Sequence, residues 1–140
     1  MATAQILNAE YQHFLQKCRS IDWVLVIQSV KQLKFSSSLP HQTSVKVITR
    51  YLAFLYLNHC YPHLRLVPDQ GIDQFWQSHS RNRKQYIEDC QFLFGYVIPY
   101  ISHVDLYRTD RSIWLRDYAL TQVLFRKHFG MELADDGAID

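Results

Sequence analysis

The stretch Tyr51-Leu-Ala-Phe-Leu-Tyr-Leu57 decides the fold of this 140-residue chain, because seven consecutive apolar or aromatic residues leave no polar face. A helix of this kind has to be covered on several sides, so the stretch predicts a central helix. A buried strand is the alternative interpretation. The length of the whole segment, from a cap at Thr43 or Ser44 to about Asn58, favours the helix.

Two amphipathic segments precede this stretch. Apolar residues recur at helical spacing in residues 3–18 and again in residues 22–33, which predicts a first and a second helix. Their apolar faces are formed by Leu7, Tyr11, Phe14, Leu15 and Cys18, and by Trp23, Val26, Ile27, Val30 and Leu33. Ser20 or Asp22 can cap the second helix, and the serines before Pro40 form a polar break.

Three further helices are predicted after a turn at residues 68–71. The fourth has Ile72, Phe75, Trp76 and His79 on one face; the fifth has Tyr86, Ile87, Cys90, Leu93 and Phe94 and ends at Gly95. Asp110 caps the last, which points Ile113, Trp114, Leu120, Val123, Leu124 and Phe125 inward and ends at Gly130. We predict an all-α, single-domain bundle of five to six helices over residues 1–131, with an ordered loop at residues 96–109 and a flexible acidic tail at residues 132–140.

Composition points to a cytoplasmic globular protein. The formal net charge of +2 does not demand an anionic partner. Three widely spaced cysteines argue against a disulfide framework and fit a reducing compartment. No secretory signal and no apolar run of membrane-spanning length is evident, so we expect no membrane insertion, while peripheral recruitment through a partner stays open.

Several residues could carry chemistry. His59, Cys60 and His63 are close in sequence, but Pro62 interrupts the helix between them and no second ligand pair is evident. His79, Asp89 and Cys90 could form a Cys–His site. Cys90 lies on an apolar stripe, where cysteine usually packs as a small hydrophobic residue. We therefore expect no metal, no cofactor and no catalysis. The alternative is a metal-dependent or Cys/His enzyme that uses His79, Asp89 and Cys90.

Basic residues form two groups, Arg81, Arg83 and Lys84, then Arg108, Arg111, Arg116, Arg126 and Lys127. No nucleic-acid-binding motif accompanies them, so they are interpreted as a solvated face, and an RNA-binding module is the weaker alternative.

A longer pattern combines aromatic, histidine, Asp-Cys and Phe-Gly elements. Its residues are Pro68, Asp73, Phe75, Trp76, His79, Tyr86, Asp89, Cys90, Phe94 and Gly95. The pattern resembles that of the glycine-rich domain-containing-protein-like family, a helical domain of plants and bacteria including cyanobacteria, over roughly residues 20–130. The resemblance implies a structural role for these residues, with Asp73 near the start of the fourth helix and His79 on its packed face.

The chain departs from that family where the family has further histidines. Gln77 replaces one of them, and Pro99 and Tyr100 stand at the position of a His-His pair. Glutamine does not titrate and is a poor ligand for zinc or iron. The resemblance thus implies a degenerate member kept as a scaffold, an adaptor or small accessory subunit. If the chain is cyanobacterial, a photosynthetic or light-harvesting assembly is the implied partner.

The predicted loop at residues 96–109 is rich in apolar and aromatic residues, although loops normally run over the surface. Tyrosine and arginine together are typical of binding hot spots. The predicted partner-binding residues are Tyr96, Tyr100, Ile101, Leu106, Tyr107, Arg108 and Arg111. The alternative is that these rings only cover the ends of the third and fifth helices. We expect a non-catalytic helical module that binds a protein partner, such as a multi-subunit complex.

Overall fold

The apolar stretch at residues 51–57 lies inside a helix and is covered on all sides. The computed structural model describes residues 2–31, 41–102 and 110–133. In it, none of the seven side chains from Tyr51 to Leu57 is more than 7% exposed. The prediction of a central helix is therefore confirmed.

Six helices form a single domain in the described part of the chain, and no strand occurs there. They are α1 (Ala2–Cys18), α2 (Val24–Lys31), α3 (His41–Cys60), α4 (Gln70–Arg81), α5 (Arg83–Phe94) and α6 (Arg111–Phe129). Helix α3 packs against α1, α4 and α6, while α2 packs on α4, and α5 lies against α1 and α4. The predicted all-α fold class is confirmed.

Aromatic rings fill the space between α1 and its neighbours. Tyr11 and Phe14 of α1 lie 5.1 and 5.0 Å from Tyr56 of α3, measured between ring centroids. Phe14 also lies 5.5 Å from Phe94 of α5, and Tyr11 lies 4.7 Å from Phe129 of α6. Each pair adds roughly 0.5–1.5 kcal/mol to the free energy gained by burial, so the rings fix α1 against three helices at once.

Side chains and left-handed glycines end the helices at several of the predicted positions. Asp22 Oδ1 accepts from Val24 N at 3.0 Å, and Asp110 Oδ1 accepts from Ile113 N at 3.1 Å. Gly95 and Gly130 adopt φ values of 82° and 65°, which a side chain would disfavour. These capping predictions are confirmed.

Two predicted boundaries are wrong. Helix α3 begins at His41, before Thr43 and Ser44, because neither His41 nor Gln42 opposes helix formation. The segment predicted as a turn at residues 68–71 instead contains the start of α4. Asp69 is its N-cap and accepts from Ile72 N at 2.8 Å, so the helix begins at the next residue.

The inward face of α6 also differs from the prediction. Leu120 and Val123 are 37% and 56% exposed, so their predicted inward orientation is wrong. The buried face consists of Trp114, Asp117, Tyr118, Thr121, Leu124 and Phe125. Thr121 explains the choice of face, because its hydroxyl accepts from Val67 N at 2.9 Å and donates to Asp117 O at 2.8 Å. The buried position expected for Leu120 or Val123 is therefore occupied by Thr121, whose hydroxyl bonds the α3–α4 connection.

The chain continues along the domain after α6. Glu132 Oε1 lies 2.9 Å from Arg126 Nη2, and Leu133 is buried, so the first two residues of the predicted acidic tail contact the domain. The remainder of that tail, residues 134–140, lies outside the described residues. Residues 96–102 of the predicted loop are non-helical, and residues 103–109 are likewise not described.

The two aspartate caps differ in burial, and this predicts different effects of their removal. Asp69 is fully buried and also accepts from Arg50 Nε at 3.3 Å, whereas Asp110 lies at the surface. We expect Asp69→Ala to lower the free energy of unfolding by about 2–3 kcal/mol, since a cap and a charge-assisted hydrogen bond are both lost. Asp110→Ala, as the matched control, should cost clearly less in urea unfolding. Equal losses would contradict this interpretation.

Candidate partner-binding groove and the network behind it

In the described part of the predicted binding loop, two apolar side chains are exposed and a third is half buried. Tyr96 and Ile101 are 42% and 52% exposed. Tyr100 is half buried: its hydroxyl donates to Asp73 Oδ1 at 3.1 Å, and its ring lies edge-on at 4.9 Å from Trp76. Tyr100 therefore packs on α4. The Tyr96 ring lies 5.7 Å from His59 and 6.2 Å from Phe94, at the ends of the third and fifth helices named in the covering alternative.

The remaining predicted partner residues are not brought to this surface by any described contact. Arg111 begins α6, where its guanidinium lies 5.7 Å from the centre of the Trp114 ring, within range of a cation–π interaction. Leu106, Tyr107 and Arg108 lie outside the described residues.

Tyr96 and Ile101 face the connection between α3 and α4 across a groove of about 280 Å³. The groove is lined by Asn58, Pro62, His63, Leu64, Arg65, Leu66, Pro68, Trp76, Tyr96, Ile98, Pro99 and Ile101. Exposed apolar side chains at its rim include Leu64, which is 38% exposed, together with Tyr96 and Ile101. The volume is close to the lower end of small-molecule sites, roughly 300–1,000 Å³, and suits one or two large side chains.

Prolines and one side-chain hydrogen bond restrict the walls of this groove. Three of the chain's four prolines, Pro62, Pro68 and Pro99, line it and fix the local backbone. The Tyr96 hydroxyl is 3.0 Å from His59 Nδ1, which holds the ring in place. A preformed groove loses little conformational entropy on binding.

A buried hydrogen-bond network stands behind the groove. Trp76 Nε1 donates to the Tyr86 hydroxyl at 3.0 Å, and that hydroxyl donates to the Ile98 carbonyl oxygen. These bonds join α4, α5 and the segment at residues 96–102. The groove wall is thus connected to the core through groups that are all buried, and such groups are costly to leave without partners.

A second, separate hydrogen-bond network is centred on His79, which is fully buried. Its Nδ1 lies 2.7 Å from the Tyr51 hydroxyl, and its Nε2 lies 2.8 Å from Asp89 Oδ2. Burial raises the pKa of Tyr51 well above its usual value, so the phenol keeps its proton. With the Tyr51 hydroxyl donating to Nδ1, Nε2 is left to donate to the Asp89 carboxylate, and both ring nitrogens have a partner.

Burial separates two residues of this part of the core from solvent. Tyr51 is fully buried and Cys90 is 1% exposed, so neither can meet a substrate. Burial raises the pKa of the Cys90 thiol, which disfavours the nucleophilic thiolate. The Cys90 thiol is oriented toward Tyr86 and the Ile98 backbone. The Tyr51–His79–Asp89 network therefore holds α3, α4 and α5 together.

The predicted metal-ligand candidates point to different places. His59 bonds Tyr96, His63 is exposed at the groove, and Cys60 is close to the Tyr56 hydroxyl. No group of three histidine, cysteine or acidic side chains within residues 2–31, 41–102 and 110–133 is placed to hold a metal ion. All three cysteines are free thiols.

A second depression lies where α2 and α5 begin, and it has a mixed charge. It encloses about 740 Å³ and includes Arg83 and Lys84 together with Asp22, Glu88 and Asp89. The basic residues there face acidic neighbours. On α6, Arg116 and Arg126 lie 3.3 and 2.9 Å from Asp117 and Glu132. Among the described basic residues, Arg83, Lys84, Arg116 and Arg126 thus have acidic neighbours, unlike the uniformly positive surface typical of nucleic-acid binding.

The other family-motif residues occupy structural positions. Phe75, Trp76, Tyr86 and Cys90 are buried, Phe94 packs on Phe14, and Gly95 forms the left-handed cap. Sequence reasoning missed Tyr51, because nothing in an apolar run singles out one hydroxyl. It also missed Leu64 and Arg65 at the groove. Asp69 was detectable as an acidic residue three positions before Ile72.

Removing the Tyr51 hydroxyl tests the contribution of the Tyr51–His79–Asp89 network to stability. We expect Tyr51→Phe to lower the free energy of unfolding by about 1–3 kcal/mol, because His79 Nδ1 would stay buried without a partner. Tyr61→Phe is the matched control, since the Tyr61 hydroxyl bonds His128 Nε2 at 2.6 Å in a half-buried position where water can replace it. Chemical unfolding of both variants checks this. An equal loss in the free energy of unfolding would contradict the claim that the buried bond to His79 matters more than the half-buried bond to His128.

The three thiols should differ in reactivity with Ellman's reagent. Burial raises the pKa of Cys18 to about 12 and also raises the pKa of Cys90, so both stay protonated and inaccessible at neutral pH. Cys60 is half buried and should react first in the native protein. Cys60→Ala should remove that native phase, whereas Cys18 and Cys90 should react only on unfolding. Fast native labelling of Cys90, followed by mass spectrometry, would contradict this.

No helix in the described residues is long and apolar enough to cross a bilayer. Comparisons with known protein families, with curated proteins and with solved structures found no match for this chain, and the family resemblance stays a prediction.

Proposed function

We propose that this protein is a non-catalytic protein-binding module, an adaptor or small accessory subunit, and that the groove is its partner site. The observation that carries the proposal is the exposed apolar rim. Leu64, Tyr96 and Ile101 remain exposed to solvent around the groove. A rimmed apolar concavity of this kind is typical of a recognition site.

The environments of His79 and Cys90, two residues of the enzymatic alternative, support a non-catalytic module. His79 uses both ring nitrogens in structural hydrogen bonds, and Cys90 is enclosed with a raised pKa. The acidic neighbours of Arg83, Arg116 and Arg126 likewise disfavour an RNA-binding surface.

The resemblance to the glycine-rich domain-containing-protein-like family fits a scaffold that works through its surface. We extend the proposal to a cytoplasmic protein whose partner belongs to a larger assembly. For a cyanobacterial chain, the assembly we propose is a photosynthetic or light-harvesting one, with recruitment to a membrane through that partner.

The groove variants Leu64→Asp and Ile101→Asp test the proposal. A charge in the apolar rim should cost about 1–4 kcal/mol of partner affinity while leaving the fold intact, because both side chains are exposed. Quantitative affinity capture from an extract of the source organism measures recovery, with a thermal melt of each variant.

Val123→Asp on α6 is the matched control, since Val123 is an equally exposed apolar residue away from the groove lining. A genuine partner is recovered by the unmodified protein and by the control and is lost with both groove variants. If every captured protein is recovered equally by all four, the groove is not the partner site.

A further inference from the structure

We infer that the groove recognises a short segment of its protein partner in which a large apolar side chain stands beside a carboxylate. This inference rests on the proposed function and adds the chemistry of the partner. The charge at the groove, its volume and the side chains that line it support this inference.

The charge at the groove has one sign. Arg65 is exposed and is the charged side chain among the described residues that line the groove; none of the lining residues is acidic. His63, two residues earlier and also exposed, adds an imidazole at the same rim. A guanidinium that meets solvent beside an apolar surface offers planar hydrogen-bond donors to a carboxylate.

The acidic residues nearest in sequence do not neutralise this charge. Asp69 follows Arg65 by four positions, but it is fully buried and accepts from Arg50 and from Ile72 N. Asp73 accepts from the Tyr100 hydroxyl. Both carboxylates are directed to partners inside the domain, so the positive charge at Arg65 remains available to an incoming segment.

The apolar part of the groove sets the other requirement. About 280 Å³ between Leu64, Tyr96 and Ile101 accepts one or two large side chains but not a bulky cofactor. The Trp76 indole N–H is already bonded to Tyr86, and the Ile98 carbonyl oxygen accepts from the same hydroxyl. Trp76 therefore offers only its aromatic surface to a bound segment, and Arg65 at the rim is the group that can select a polar side chain.

The test selects random peptides displayed on phage against the full-length protein, and enriched sequences are resynthesised for fluorescence anisotropy. Each peptide is made with its acidic residue, with the matching amide and with lysine at that position. The protein is used unmodified, as Arg65→Glu, as Leu64→Asp, and as Arg83→Glu for a charge control away from this groove.

We expect enrichment of peptides that pair Leu, Ile, Phe or Trp with Asp or Glu. Arg65→Glu should weaken the acidic peptide roughly fivefold at low salt and less at high salt, since an exposed ion pair is modest and screened. The amide peptide should respond little to Arg65→Glu, the lysine peptide should bind that variant better, and Arg83→Glu should behave like the unmodified protein.

Other outcomes separate the two proposals. Peptides that lose binding with Leu64→Asp but bind equally as acid and amide overturn the acidic preference and leave the binding module standing. Absence of any peptide sensitive to Leu64→Asp overturns the groove itself as a binding site for peptide segments. Concentration-dependent dimerisation that Leu64→Asp abolishes, measured by analytical ultracentrifugation, would identify a second copy of this chain as the occupant and overturn the inference.

Discussion

The all-round apolar surface of residues 51–57 in α3 is the constraint on which the rest of the structure depends. A helical segment with no polar face is stable in water only when neighbours cover it from several directions. Helices α1, α4 and α6 do so directly, and α2 and α5 complete the layer by packing on α4 and, for α5, on α1. The aromatic content of the chain follows from this arrangement, since rings on α1, α3, α5 and α6 meet in one cluster.

Covering α3 buries the Tyr51 hydroxyl, and the Tyr51–His79–Asp89 network supplies its hydrogen-bond partner. The Tyr51 hydroxyl would be buried without a partner if His79 were apolar, and His79 would lack an acceptor without Asp89. Because buried polar groups are costly unless all are bonded, the three residues specify how α3, α4 and α5 fit together. The same three residue types occur in catalytic sites, and here their burial gives them a structural role.

The groove is formed where regular packing ends. The connection from α3 to α4 and the segment after α5 are non-helical and contain prolines, and together with Trp76 they line the groove. Tyr100, Asp73, Tyr86 and Ile98 bond the walls to the core. If the groove binds a partner as proposed, specificity depends on the few exposed groups at its rim.

The sequence by itself determined the fold class, most helix boundaries and the caps at Asp22, Gly95, Asp110 and Gly130, because hydrophobic periodicity and capping are local properties. It placed Tyr96 and Ile101 at a surface as well. Only the tertiary structure decided that Thr121 rather than Leu120 or Val123 faces inward, that Asp69 begins α4, and that Leu64 and Arg65 lie opposite Ile101. These features depend on contacts between residues far apart in the chain, and no local pattern encodes which distant backbone group a buried hydroxyl or carboxylate will meet.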